Sequence, residues 1–168
     1  MNRSVLLHGL TAGVVFVALG WAAETYSAQP ERPYSGSCST VVQVLTPPNV
    51  FPQELRIDLD CTLAHLGRTT GVAFQTVTPL GAPNGAILTA AIENTTTYTA
   101  ANGDMLDQSF IGTALINLET GEVRYIGNET FEGGTGRFEH ATGTSELTGT
   151  ASVFTGTGIY TVQGRIGY

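Results

Sequence analysis

The chain has 168 residues, 42% of them hydrophobic and only 12% charged, with 21 glycines and a formal net charge of −7. That length fits one domain, and the composition is too apolar for a disordered chain and too often broken by glycine for a helical bundle. Beyond residue 28 the basic side chains are Arg32, Arg56, Arg68, Arg124, Arg137 and Arg165. So acidic a surface repels phosphate backbones and anionic lipids, which argues against a nucleic-acid or membrane-surface partner.

Residues 1–28 predict a secretory signal peptide with a short flexible tail. Arg3 supplies the positive start, Leu10 to Leu19 the apolar stretch, and Gly20, Ala22 and Ala23 the small residues a signal peptidase accepts. The apolar run ends well short of the roughly 20 residues that span a bilayer, so no membrane span is expected in the mature form. A secreted or periplasmic protein follows, with residues 29–168 forming a single barrel domain behind a flexible tail that ends before Cys38.

Cys38 and Cys61 both fall in that exported part, where an oxidising compartment favours a disulfide. If residues 39–45 and 54–63 form a hairpin, its midpoint lies in the turn-rich stretch Thr46-Pro47-Pro48-Asn49-Val50-Phe51-Pro52, and the two cysteines face each other at its base. A bridge closing such a loop stabilises a fold by about 3 kcal/mol in the chain-entropy picture.

From residue 39 onward the apolar period is two. Leu55, Ile57, Leu59, Cys61 and Leu63 alternate with Arg56, Asp58, Asp60 and Thr62, and Tyr160, Val162, Ile166 and Tyr168 share one face of the last run. Turn signals such as Asn84-Gly85, Asn102-Gly103 and Thr120-Gly121 separate eight segments, roughly 39–46, 54–65, 68–78, 86–100, 105–118, 122–132, 142–155 and 158–167. Eight hairpin-linked strands leave exposed edges unless the sheet closes. The expected fold is therefore all-β, a closed antiparallel eight-stranded up-and-down barrel, with a two-sheet sandwich as the alternative.

Gly133-Gly134-Thr135-Gly136-Arg137-Phe138, followed by Ala141-Thr142-Gly143, resembles a string of the allene oxide cyclase-like and dirigent-like barrels, particularly their exported bacterial branch. His65-Leu66-Gly67-Arg68 and Ala100-Ala101-Asn102-Gly103-Asp104 look like further fragments of the same proteins, in the same order. The resemblance implies a closed eight-stranded barrel with a central cavity, commonly oligomeric in the plant relatives, so a homo-oligomer is an expectation. It does not carry the activity over. Where dirigent proteins place an aspartate after Thr-Gly and an arginine a few residues later, this chain has Arg137 and Thr142. No motif places an allene oxide cyclase active site either.

The candidate ligand-binding residues are Tyr125, Glu129 and Phe131, which share the more apolar face of segment 122–132 with Val123. If that face lines a cavity, Glu129 is a partly buried acid of raised pKa beside a tyrosine hydroxyl, suited to acid–base work or to holding a polar head group. The bland alternative is a rim position in water or a partner for Arg165. Gly133, Gly134, Gly136, Arg137 and Phe138 read as a structural bend, because no helix follows to make a phosphate cradle. Arg137 is expected to pair with Glu132 or Glu139, or else to clamp a ligand anion. Asp58 and Asp60 read as solvated acids and His65 as a residue bonding backbone at a bend. No metal set, cofactor motif or catalytic triad is apparent.

Three functions follow. The barrel binds a small apolar or amphipathic ligand in its cavity; or it confines a reactive intermediate as dirigent and cyclase proteins do; or it is a filled, structural barrel. A solid interior would remove the first two. An inward Glu129 and Tyr125 would favour the second, and an apolar cavity without titratable groups the first.

Overall fold

The computed structural model describes residues 30–47 and 50–168, so the expected signal segment lies outside the described residues. Eight strands follow one another: β1 (Arg32–Val44), β2 (Gln53–Leu63), β3 (Gly67–Pro79), β4 (Ile87–Ala100), β5 (Met105–Asn117), β6 (Glu122–Gly134), β7 (Thr142–Ser152) and β8 (Thr157–Gly167). Each pairs antiparallel with its sequence neighbours, and β1 pairs with β8 over Arg32–Val41, which closes the sheet. Closure leaves no edge with unpaired backbone groups, and it sets aside the sandwich.

The period-two pattern is what selects the inner face. On β2, Ile57, Leu59, Cys61 and Leu63 are buried while Asp58, Asp60 and Thr62 are exposed. The outward acids are held by short ion pairs, Asp58 with Arg56 at 2.9 Å and Asp60 with Arg68 at 3.4 Å, all in water. Cys38 and Cys61 are direct register partners on β1 and β2, their Cα atoms 4.1 Å apart, and they form the expected disulfide inside the barrel.

Two differences from the sequence reading have physical causes. The stretch before Cys38 is strand from Arg32 onward rather than flexible tail. Tyr34 continues the inward alternation of Cys38, and Gly36 is there for close approach: a Cβ would meet the Thr62 carbonyl oxygen and Leu63. The second difference is in β6, whose register against β5 shifts between Asp107 and Gln108. The bulge lets the strand run two residues further, to Gly134, and bends it over the barrel end.

The two ends of the barrel differ. At one, the 3₁₀ turn Gly136–Phe138 crosses the opening, and Phe138, fully buried, closes it with Leu66, Ala141 and Ile166. At the other, residues 45–47 and 50–52 and the connections 80–86, 118–121 and 153–156 stand around an open mouth.

Candidate functional site

Above the Phe138 plug the barrel is hollow. A cavity of about 270 Å³ runs toward the mouth, where Val44, Gln53, Val153 and Gly156 line it. The room comes from small inward side chains, Ala73, Ala114 and Ala151, on three different strands. The middle walls are apolar, with Ile57, Val77, Ile92, Phe110 and Leu147. Barrels of eight strands are either filled by side chains or leave room inside, and this interior has room.

The floor is polar and fully enclosed. Glu129 on β6 stands directly across from Ser145 on β7, and its accessible surface is zero. One carboxylate oxygen accepts a hydrogen bond from Gln108 Nε2 at 2.7 Å; the other accepts a short one from the Ser145 hydroxyl. Gln108 Nε2 also reaches Tyr98 Oη at 3.2 Å, and Tyr98 and Tyr160 join hydroxyl to hydroxyl at 2.6 Å. Tyr160 Oη lies 4.0 Å from the disulfide sulfur of Cys61. Five strands, β4 through β8, thus meet in one side-chain network. Two buried polar atoms have no partner among the described residues: Tyr34 Oη and Gln108 Oε1.

Burial raises the Glu129 pKa to about 6, against the pull of the Ser145 and Gln108 hydrogen bonds, which favour the charged form. Burial likewise raises Tyr34, Tyr98 and Tyr160 well above the ordinary phenol value, and the negative charge of Glu129 adds to each. All three therefore remain neutral donors. Tyr125, nearer the mouth, is pushed up to about 12 by burial alone.

Of the sequence-predicted ligand residues, Tyr125 and Glu129 line the cavity and Phe131 does not. Phe131 packs beneath the floor, edge-on to Tyr34 with ring centroids 4.8 Å apart. Glu129 is neither at a rim nor paired with Arg165, which bonds Glu31 at 3.0 Å instead. The tyrosines that feel its charge are Tyr34, Tyr98 and Tyr160; the Tyr125 hydroxyl points to the Ile159 carbonyl at 3.5 Å.

Arg137 pairs with neither Glu132 nor Glu139. The 3₁₀ turn swings its guanidinium across the closed end, to Asp104 at 3.6 Å and to the His65 carbonyl oxygen, while it lies over the Phe138 ring. Glu132 accepts from Ser109 at 2.7 Å. Gly136, at φ +59°, places its missing Cβ against the Asp104 carboxylate, so glycine is required both for the backbone and for the ion pair. His65 hydrogen-bonds the Pro33 carbonyl oxygen through Nε2 at 2.8 Å, the backbone role expected of it.

Sequence reasoning missed Gln108, Ser145 and Tyr98. The available signal was parity: Leu106 and Phe110 flank Gln108 on the inner face, and Ile92 leads by twos to Tyr98. Among the described residues no cluster of three His, Cys, Asp or Glu side chains could hold a metal.

No protein-family model matches the chain, and no curated protein matches it. Among solved structures, a pterocarpan synthase dirigent protein is similar, with a TM-score of 0.42 and 16% identity, over 85% of this chain and 89% of that one. At that distance nothing of its activity transfers.

Proposed function

We propose that this barrel binds a small, mostly apolar molecule in its cavity, with the polar end of the ligand on the Glu129 floor. The observation that carries the reading is an apolar-walled void of about 270 Å³, open at one end, with a buried hydrogen-bonded carboxyl at the other. Convergent polar groups at the base of an apolar pocket are the usual build of a small-molecule site.

The inward Glu129 and Tyr125 also support a second reading, the dirigent- or cyclase-like one. There the cavity confines a reactive molecule, and Glu129 exchanges a proton with it. Glu129 suits that role because burial raises its pKa to about 6, closer to neutrality than an ordinary carboxyl.

The disulfide supports placement outside a reducing cytoplasm, secreted or periplasmic. The exposed Ile111, Leu115 and Ile126 on neighbouring strands β5 and β6 would support assembly into a homo-oligomer.

Native mass spectrometry of the protein purified from its own source tests the first reading directly. A retained small molecule is expected, and Ala151→Trp, which fills the upper cavity, should abolish it. No bound molecule in the wild type, together with no uptake of any added apolar compound, would overturn the reading. Glu129→Gln separates the two readings: under the second it removes turnover outright, whereas under the first it changes only the strength of binding.

A further inference from the structure

The floor of the cavity has a definite hydrogen-bond polarity, and counting protons reveals it. Glu129 takes one hydrogen bond on each oxygen, from Gln108 and from Ser145. Facing a carboxylate, the Gln108 amide must present its NH₂ group, since its carbonyl would be repelled. The same nitrogen reaches Tyr98 Oη, so both amide protons are used and Gln108 Oε1 is left without a partner. Tyr98 accepts from Gln108 and has no acceptor other than Tyr160 among its hydrogen bonds to described residues, which makes Tyr98 the donor of that pair. The Tyr160 proton is then directed elsewhere, and its other neighbour is the Cys61 sulfur at 4.0 Å, a weak acceptor.

Two groups at the base are thus left with unmet hydrogen-bonding capacity, the Tyr160 O–H and the enclosed Gln108 C=O, on two residues that both line the cavity. We infer that the bound molecule ends in an uncharged hydroxyl group, which accepts from Tyr160 and donates to Gln108 Oε1. A ketone or ether could use only the donor. An ammonium, though drawn by the Glu129 charge, could use only the acceptor, would face the Tyr160 O–H and must shed its water on entry, which makes the amine the rival to test. A carboxylate is disfavoured further: among the described residues no arginine, lysine or histidine lines the cavity, and Glu129 would face it with like charge out of water. The inference rests on the cavity being a binding site. At roughly 30 Å³ for each water-sized group, the void takes a body of about nine heavy atoms.

The test is a titration followed by amide NMR at pH 8, with nonan-1-ol, nonan-2-one, methyl octyl ether, nonan-1-amine and nonanoate. Nonan-1-ol should shift the amides of Gln108, Glu129 and Tyr160. It should bind about fivefold more tightly than the ketone and the ether, the worth of one neutral hydrogen bond, and nonanoate should bind most weakly. In Tyr160→Phe the advantage of the alcohol over the amine should shrink by a similar factor, while the melting curve remains cooperative. Nonanoate or the amine binding as tightly as the alcohol would overturn the hydroxyl assignment and leave the cavity reading standing. So would equal binding of alcohol, ketone and ether. Absence of shifts at cavity residues with all five compounds would overturn both. The wild-type series decides even if the variant fails to fold.

Discussion

Tyr98 on β4 and Tyr160 on β8, 62 residues apart in sequence, share a 2.6 Å hydrogen bond inside the barrel. Strands four apart in a ring of eight lie on opposite sides, so the bond is a strut across the interior. Removing one hydroxyl leaves buried polar neighbours without partners, which costs more than the bond itself contributes. Tyr98→Phe orphans a Gln108 N–H and the Tyr160 oxygen. It should lower the unfolding free energy by about 1–3 kcal/mol in urea denaturation, with the slope of the transition unchanged. A loss below about 0.5 kcal/mol would mean that the hydroxyls are not coupled in solution.

The buried Glu129 makes stability depend on pH in a direction opposite to that of most surface carboxylates. Its folded pKa of about 6 lies above its ordinary value of 4.5. Below pH 4.5 the group is protonated in both states and burial carries no charge penalty. As pH rises through about 6 the folded state must accept a desolvated charge, and stability is lost. The neighbouring ionisable groups, Tyr34, Tyr98 and Tyr160, hold their protons throughout. Between pH 4 and pH 8 the wild type should lose about 2 kcal/mol relative to Glu129→Gln, measured by denaturation of both proteins at each pH. Parallel pH curves for the two would show that Glu129 is solvated.

How much of this was legible beforehand depended on which physical signal each residue carried. Segments such as Leu55–Leu63 state their orientation outright, because charged and aliphatic residues alternate, and the count of eight runs then demanded closure. The Cys38–Cys61 pairing was legible from hairpin arithmetic alone. The floor was harder. On β4 the inward Thr96 and Tyr98 alternate with outward Thr95, Thr97 and Thr99, so chemistry does not distinguish the faces and only the parity carried from Ile92 does. Tyr160 was placed on the inner face with Val162, but its meeting with Tyr98 is a product of barrel closure, which no local pattern encodes. Arg137 was misread for a related reason: nearby carboxylates on its own segment attracted the pairing, whereas the bend carries it to Asp104, 33 positions away in the chain.

The disulfide joins inward residues of β1 and β2 and closes a loop with a sequence separation of 23. In the chain-entropy picture its removal costs about 3 kcal/mol, mostly by freeing the unfolded chain. For a domain of this size that is roughly a 10 °C fall in melting temperature. The double variant Cys38→Ala/Cys61→Ala should show this fall by calorimetry and keep the strand-dominated circular dichroism spectrum. A spectrum that loses its strand signature at 20 °C would mean that β1 depends on the bridge to stay in the barrel.

The closed end offers a test of whether the Gly133–Phe138 string acts through shape or through charge. Phe138 is fully buried as the plug, and its truncation to Ala leaves a void, costing about 3–5 kcal/mol. Gly136→Ala combines a positive φ with a collision against the Asp104 carboxylate, a strain of about 1–3 kcal/mol. Arg137 is half exposed, so its ion pair with Asp104 is screened, and Arg137→Ala should cost about 1 kcal/mol or less, including the bond to the His65 carbonyl. Because that guanidinium lies at the end opposite the mouth, the substitution should also leave uptake of nonan-1-ol unchanged. Denaturation midpoints should therefore rank Phe138→Ala as most damaging, then Gly136→Ala, then Arg137→Ala. If Arg137→Ala proved the worst of the three, or alone abolished ligand uptake, the string would be a charged binding element rather than the lid that shape makes it.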